Sequence, residues 1–420
     1  MGPEVVTRPA KPERSTRGAK RDRVIAEAAR TLNRYGVSKA SLPLIAEQLG
    51  VSRAAIYYYV EDQEDLVFQS YLRSCDALSE YLATAEGGGG TALEIVERFI
   101  DVALAPSNPE LAALSDMAYL NAERQATVHA AFNAVKSRLA EILALGIARG
   151  EIRNCTVSVV SPAILSLTLW LPIAKMWRSI DNLTHVELVD AIKTMLRQGI
   201  AADRQGEVAF KPLPLTLDDG QRLKVFDTDA LAVAKQESLL AAASWLFNLK
   251  GVDATSLDEI AASVGATKRV IYHNLGDKET LIAACYSRSF RLYESVARQC
   301  EALPGPRIAA IAASVYAYAE AGLREDIATY TPVTGFGALP AALQDEVNAS
   351  TVRLMDSFIE MYEQGQREGS IRPLNPRAII AVNPGTFQWL PKWYDTLSPA
   401  ERALAPLELA DLNRLGLLPA

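Results

Sequence analysis

IAEQLGVSRAAIYYYVEDQEDL (Ile45–Leu66) and IAASVGATKRVIYHNLGDKETL (Ile260–Leu281) lie in one chain of 420 residues and coincide at a constant offset of 215. Ile45, Ala46, Gly50, the pair Ile56-Tyr57 and Leu66 return as Ile260, Ala261, Gly265, Ile271-Tyr272 and Leu281, and Gly36 matches Gly251 upstream. Two unrelated amphipathic helices would share apolar periodicity, but not a turn glycine and an Ile-Tyr pair together. The chain therefore contains an internal duplication. A weaker echo runs downstream at an offset of 219: ARGEIR around Gly150 matches QREGSIR around Gly369, and Trp170-Leu171-Pro172 matches Trp389-Leu390-Pro391. The repeated unit is thus the whole half-chain.

Around the first segment, Val24, Ile25, Ala28, Ala29 and Leu32 recur at helical spacing and stop at Gly36, which predicts a helix from about Arg21 to Tyr35. A short amphipathic helix from Leu42 to Leu49, a turn at Gly50-Val51, an N-cap at Ser52 and a helix from Arg53 to Tyr59 follow, with a longer one from Gln63 past Leu78. The second copy repeats the series: a helix ending at Gly251, one begun by Ser256 with Glu259 spaced as in a capping box, a turn at Gly265, a short helix capped by Thr267, and a long helix from Lys278 toward Cys300.

Three short helices with a tight turn between the second and third form a helix-turn-helix, whose last helix fits a DNA major groove while the preceding one fixes register on the backbone. The residues predicted to face DNA are Ser52, Arg53, Ala55, Tyr57 and Tyr58 in the first copy, and Thr267, Lys268, Arg269, Tyr272 and His273 in the second. Arg and Lys there can donate to guanine edges, while Ser, Thr and Tyr suit phosphate oxygens. Ile56 and Ile271 read as core.

Both segments resemble the DNA-binding domain of TetR-family transcriptional regulators, over about residues 21–72 and 233–282. The resemblance implies an all-α chain of two tandem units, each a three-helix reader joined by a fourth helix to a larger helical domain for ligand binding and dimerisation. It also implies that Tyr57 and Tyr272 meet the DNA backbone and that Lys278 binds phosphate at the start of the fourth helix. Gln63 stands at the matching place in the first copy, among Glu61, Asp62, Glu64 and Asp65. Those acids would repel phosphate if they faced it, and equally suit the positive end of a helix dipole. Ordinary family members carry one unit per chain, so a tandem chain either forms an internal pseudo-dimer on two unequal half-sites or a homodimer with four readers.

The rest of the chain bounds the function. Lys and Arg number 43 against 50 Asp and Glu, a net −7, so any nucleic-acid surface is local. Residues 1–23 carry seven cations against three acids, and residues 1–20 read as a flexible basic arm. Four widely spaced cysteines and three histidines predict reduced thiols in a cytoplasmic protein, with no metal site and no cofactor. No nucleophile-base pairing or phosphate-binding glycine pattern argues for an enzyme, and Gly87–Gly90 reads as a flexible loop. VSVVSPAILSLTLWLPIAKMW (Val157–Trp177) approaches membrane-spanning length, but its prolines, Ser/Thr and Lys175 predict a buried helix pair broken near Pro172.

The predicted domains are 21–68 and 229–283 for the readers and 69–202 and 284–420 for the helical bodies. A non-helical stretch, 203–228, between them reads as a linker or a short hairpin. Helices are expected at Ala92–Ala103, Pro109–Leu120, Glu123–Arg149, Pro306–Ala321, Leu339–Gln366 and from Pro376 to about Thr396, with a less regular tail. The aromatic residues Tyr119, Phe132 and Trp170 with Met176 in one body, and Tyr316, Tyr330, Phe336, Trp389 and Trp393 in the other, are candidates for lining an effector pocket for an apolar or aromatic molecule. The partners implied are double-stranded DNA, a small effector and the second unit or a second chain. The reading is a repressor released by that effector. The alternative is a helical interaction protein in which one or both readers no longer read DNA.

Overall fold

A computed structural model describes residues 13–176, 180–206, 208–216, 228–269, 271, 276–331 and 335–419. The described residues contain helices and turns, with one isolated antiparallel bridge between Ala201 and Ile371. In the first half α1 (Glu13–Tyr35), α2 (Leu42–Leu49), α3 (Arg53–Tyr57) and α4 (Gln63–Gly87) form the reader, and α5 (Ala92–Ala103), α6 (Ala122–Ala148), α7 (Val157–Ala174) and α8 (His185–Gln198) the body. The second half repeats this with α9 (Thr228–Lys250), α10 (Leu257–Ser263), helical residues 268, 269 and 271, and α11 (Lys278–Ala302). Its body is α12 (Arg307–Leu323), α13 (Ala341–Glu368), α14 (Pro376–Val382), the single turn α15 (Leu390–Trp393) and α16 (Pro399–Leu415).

Each reader closes on its own small core. Val24, Ile25, Ala28, Leu42, Ile45, Ala46, Ile56 and Leu66 are buried together in one, and Leu239, Leu240, Ala243, Leu257, Ile260, Ala261, Ile271 and Leu281 in the other. All eight positions match at the offset of 215. The bodies differ in kind: residues of both halves, among them Phe99, Leu139, Leu165, Ile192, Ile311, Tyr362, Val382 and Leu409, belong to one continuous hydrophobic core.

The halves meet through equivalent helices, α7 and α8 packing on α14 and α16. Reciprocal backbone bonds close the seam: Arg153 N–H donates to Leu417 O (2.8 Å), and Arg372 N–H to Ile200 O (3.0 Å). Gly199 and Gly416, with φ +63° and +66°, end α8 and α16 where the two chain segments cross. A Cβ on Gly416 would lie 2.6 Å from the backbone nitrogens of Gln198 and Gly199, an approach that glycine alone permits.

Four expectations are corrected. The arm's residues 13–20 are helical, because α1 begins at Glu13, eight residues before Arg21. Pro109–Leu120 is irregular, with Leu114 at φ +53° and one turn at Met117–Tyr119, and several of its backbone polar groups are met by side chains instead of by a helical ladder. α7 does not break at Pro172. It runs through Pro162 and Pro172 to Ala174, and the apolar surface buried along nearly its whole length offsets the cost of the lost backbone bonds. This is the one helix among the described residues long and apolar enough to cross a membrane, and 83% of it is buried inside the protein. The irregular tail is in fact α16, begun by a complete capping box of Ser398 and Glu401 with Pro399 at the first helical position.

Two further details differ. Ser256 Oγ accepts from Glu259 N–H (3.1 Å), but Glu259 turns its carboxylate to Lys250 and leaves that capping box half made. The Gly87–Gly90 turn is pinned by Arg98, which donates to Ala85 O (2.8 Å) and Gly89 O. Between the halves, residues 203–206 and 208–216 are not helical, and Leu213 and Leu215 are buried on the shared core.

Candidate functional site

In the first reader, Ser41 and Ser52 cap α2 and α3 by accepting from Leu44 N–H (3.4 Å) and Ala55 N–H (3.3 Å). Gly50, at φ +64°, carries the chain between these helices, and Gly265 does so in the second copy at φ +68°. With Ile56 in the core, Ser52, Arg53, Tyr57 and Tyr58 are exposed, the two tyrosines 52% and 60% accessible. Ala55 is half-buried instead, and the neighbouring Ala54 takes the exposed place. Tyr59 packs on the reader core and meets Tyr58 edge-on, 5.2 Å between ring centres.

In the second reader Thr267, Lys268 and Arg269 are exposed and Ile271 is buried. Lys268 Nζ lies 3.1 Å from the Asp258 carboxylate. Tyr272 and His273 lie outside the described residues. Lys278, expected from the resemblance to bind phosphate, stands at the start of α11, where its half-buried ammonium donates to Thr255 O (2.8 Å) in the α9–α10 turn and burial pulls its pKa down. Gln63 makes the matching contact in the first copy, donating to Val37 O (2.5 Å).

The acidic group at the start of α4 has two roles. Asp62 caps the helix through Asp65 N–H (2.7 Å), and Asp65 accepts from Glu61 N–H (2.9 Å). Arg124 of α6 sits among all four carboxylates, 3.4 to 4.0 Å from Glu61, Asp62, Glu64 and Asp65, with its guanidinium 5.4 Å from the Phe68 ring centre. The group therefore ties the reader to its body. The position matching Arg124 downstream is Leu343, buried with the second reader's core.

Sequence reasoning missed the side chains that join reader to body. Asn33 donates to Leu111 O (2.8 Å) and accepts from Ala113 N–H (2.9 Å), while Ser74 Oγ accepts from Ala112 N–H (2.8 Å). Asn248 and Ser289 repeat this on Thr329 O (2.6 Å), Thr331 N–H (2.9 Å) and Tyr330 N–H (2.7 Å). Arg73 and Arg288 also correspond, donating to Glu110 O (3.3 Å) and Ala328 O (2.7 Å). The signal was present as Asn33/Asn248 and Arg73-Ser74/Arg288-Ser289, identical at an offset of 215. The two readers touch at equivalent positions, Ser38 N–H donating to the Asp253 carboxylate (2.7 Å).

The nine predicted pocket residues do not converge within their own halves. Trp170, from the first half, lines a cavity of about 140 Å³ in the second body together with Tyr318, Met355, Phe358, Phe387 and Gln388. Phe132, Trp389 and Trp393 meet in a cleft between the halves. Tyr330 lines a cavity beside the contact of the two readers, and Met176 one near α1 and α7. Phe336 is buried in the second reader, Tyr316 stands edge-on to Phe210 at 5.8 Å, and Tyr119 is half-buried on the Met117–Tyr119 turn. The interlocking of α7 with the second body moves Trp170 across the seam, which spacing within one half cannot reveal.

A sequence model described as bacterial regulatory proteins, tetR family, matches residues 24–69 and 239–285. Among solved structures, AibR in complex with isovaleryl coenzyme A and operator DNA is similar at 23% identity over 42% of this chain and 94% of that one, with a TM-score of 0.34. PfmR, a TetR family transcriptional regulator from Thermus thermophilus, is similar at 20% identity over 43% and 95%, with a TM-score of 0.35. A regulator of the TetR/AcrR family from Thermobifida fusca is similar at 22% identity over 43% and 97%, with a TM-score of 0.32.

Proposed function

The chain belongs to the TetR family of bacterial regulatory proteins and carries the family's DNA-binding domain twice, and we propose that a single chain acts as the equivalent of a dimer, repressing from two unequal half-sites. The observation that carries this reading is the seam between the halves. It joins equivalent helices and reciprocal backbone bonds in one core, and brings the readers together at Ser38 and Asp253. Arg53 with Ser52, Tyr57 and Tyr58 would meet one half-site, and Lys268, Arg269 and Thr267 the other, aided by Tyr272 and His273. Different side chains on the two readers make an asymmetric operator the natural target.

The effector in this reading is a small apolar or aromatic molecule bound in the second body. The cavity there is close in size to one that holds a benzene ring. Gln388 presents a buried Oε1 with no hydrogen-bond partner among the described residues, so an effector with one N–H or O–H donor fits best. Filling the cavity would press on α11 and α13 and change the setting of the second reader.

Selection of bound sequences from random duplex DNA, joined to the mass of the complex, tests the arrangement. One chain on two dissimilar half-sites is the expected result. Two chains on a longer symmetric site would reject the internal pseudo-dimer, and the absence of salt-dependent binding would favour the helical interaction protein.

A further inference from the structure

The cleft between the halves has a chemistry of its own. It has a volume of about 360 Å³ and is walled by α6 of the first body, the α15 region of the second half and the C-terminal end of α9. Phe132, Leu169, Trp389 and Trp393 give it an apolar floor. Trp389 is satisfied, its indole N–H donating to Ala113 O (3.0 Å). Trp393 is 4% accessible; among the described residues its indole N–H makes no hydrogen bond, and that nitrogen is not fully sealed from solvent.

The cations at the cleft are unequal. Lys250 pairs with Glu259, and Lys392 donates to Ser115 O. Lys136, half-buried on α6, has no carboxylate within ion-pair distance among the described residues. Asp395 is the acid on the wall, and it is exposed. A half-buried ammonium that feels Glu401 only beyond ion-pair distance, and an indole N–H open to solvent beside an aromatic floor, suit one acceptor-rich, negatively charged group on an apolar body.

We propose that this cleft is a second small-molecule site, distinct from the cavity in the second body, for an aromatic or aliphatic carboxylate. The ring or chain lies between Phe132, Trp389 and Trp393, and the carboxylate accepts from Lys136 and the Trp393 indole. Because the cleft exists only where the two halves meet, its occupant touches the first body and, through Leu249 and Lys250, the end of the helix that carries the second reader. Occupancy is thereby coupled to the placement of that reader against the first half.

Titration of the DNA-free full chain with naphthalene-2-carboxylate, followed by calorimetry and tryptophan emission, tests the site independently of the DNA-binding reading. Saturable binding of one molecule at the cleft is expected, with the uncharged naphthalene-2-carboxamide weaker by about tenfold or more. Lys136→Met, which keeps the aliphatic stem, should weaken the carboxylate to the level of the amide, and Trp393→Phe should weaken it several-fold. Met355→Trp, which fills the other cavity, should leave it unchanged. Absence of saturable binding, equal binding of acid and amide, indifference to Lys136→Met in a variant of unchanged unfolding midpoint, or loss of binding in Met355→Trp would each overturn the proposal.

Discussion

Asn33 carries more of this architecture than its place beside a turn glycine suggests. Its amide meets both a carbonyl and an N–H of the buried irregular segment at Leu111 and Ala113. Asn33→Ala strands both groups away from water, and each orphaned group costs about 1–3 kcal/mol. Urea unfolding should show a loss of about 2–4 kcal/mol, whereas substitution of the exposed Asp22 changes little. The repeat of Asn33 as Asn248 marks the position in the sequence but not its role, because the segment it binds reads as a helix, and a helix interior offers no free backbone groups.

Lys392 makes a prediction of a different kind. Burial holds its ammonium down at about 8, against the partial support of Asp116. Between about pH 8 and the ordinary lysine value of 10.5 the unfolded chain binds more protons than the folded one, so stability rises with pH across that window. Lys392→Met should flatten the rise in unfolding curves recorded across the same window.

At the scale of elements, the sequence was most legible where a local signal and a tertiary need coincide. Ser52 both caps α3 and lies on its exposed side, and the eight matched core positions of the readers follow helical periodicity directly. It was least legible where proline was taken as a stop. Pro399 sits where a helix tolerates it best, after the cap Ser398, and Pro172 and Pro406 lie inside helices whose neighbours supply the compensating burial. The ends of α8 and α16 could not be read at all, because a glycine ending a helix is ordinary. Only the fold shows Gly199 and Gly416 crossing each other. Gly416→Ala combines an unfavourable φ of +66° with a Cβ at 2.6 Å from two backbone nitrogens. It should lower the unfolding midpoint sharply and loosen the seam, with increased hydrogen exchange at Ile200–Ala202 and Leu417, where Gly36→Ala in the first reader would leave the seam protected.

For the whole molecule, the decisive property is that two different readers are fixed to one continuous core. In a homodimer of one-unit chains every substitution changes both half-sites, but in a tandem chain acting alone it would change one. Arg53→Ala should flatten base preference in one half of a selected operator and leave the other half intact, with a loss of about 1–3 kcal/mol if Arg53 reads a base edge. Arg269→Ala should do the converse. A residue that meets only phosphate would instead weaken all sequences alike and lower the salt dependence by about one counterion. Selections run in parallel on the two variants separate these cases. If either substitution altered both halves equally, the two half-sites would be read by copies of the same domain from two chains, and the covalent pairing of unlike readers would have no part in choosing the operator.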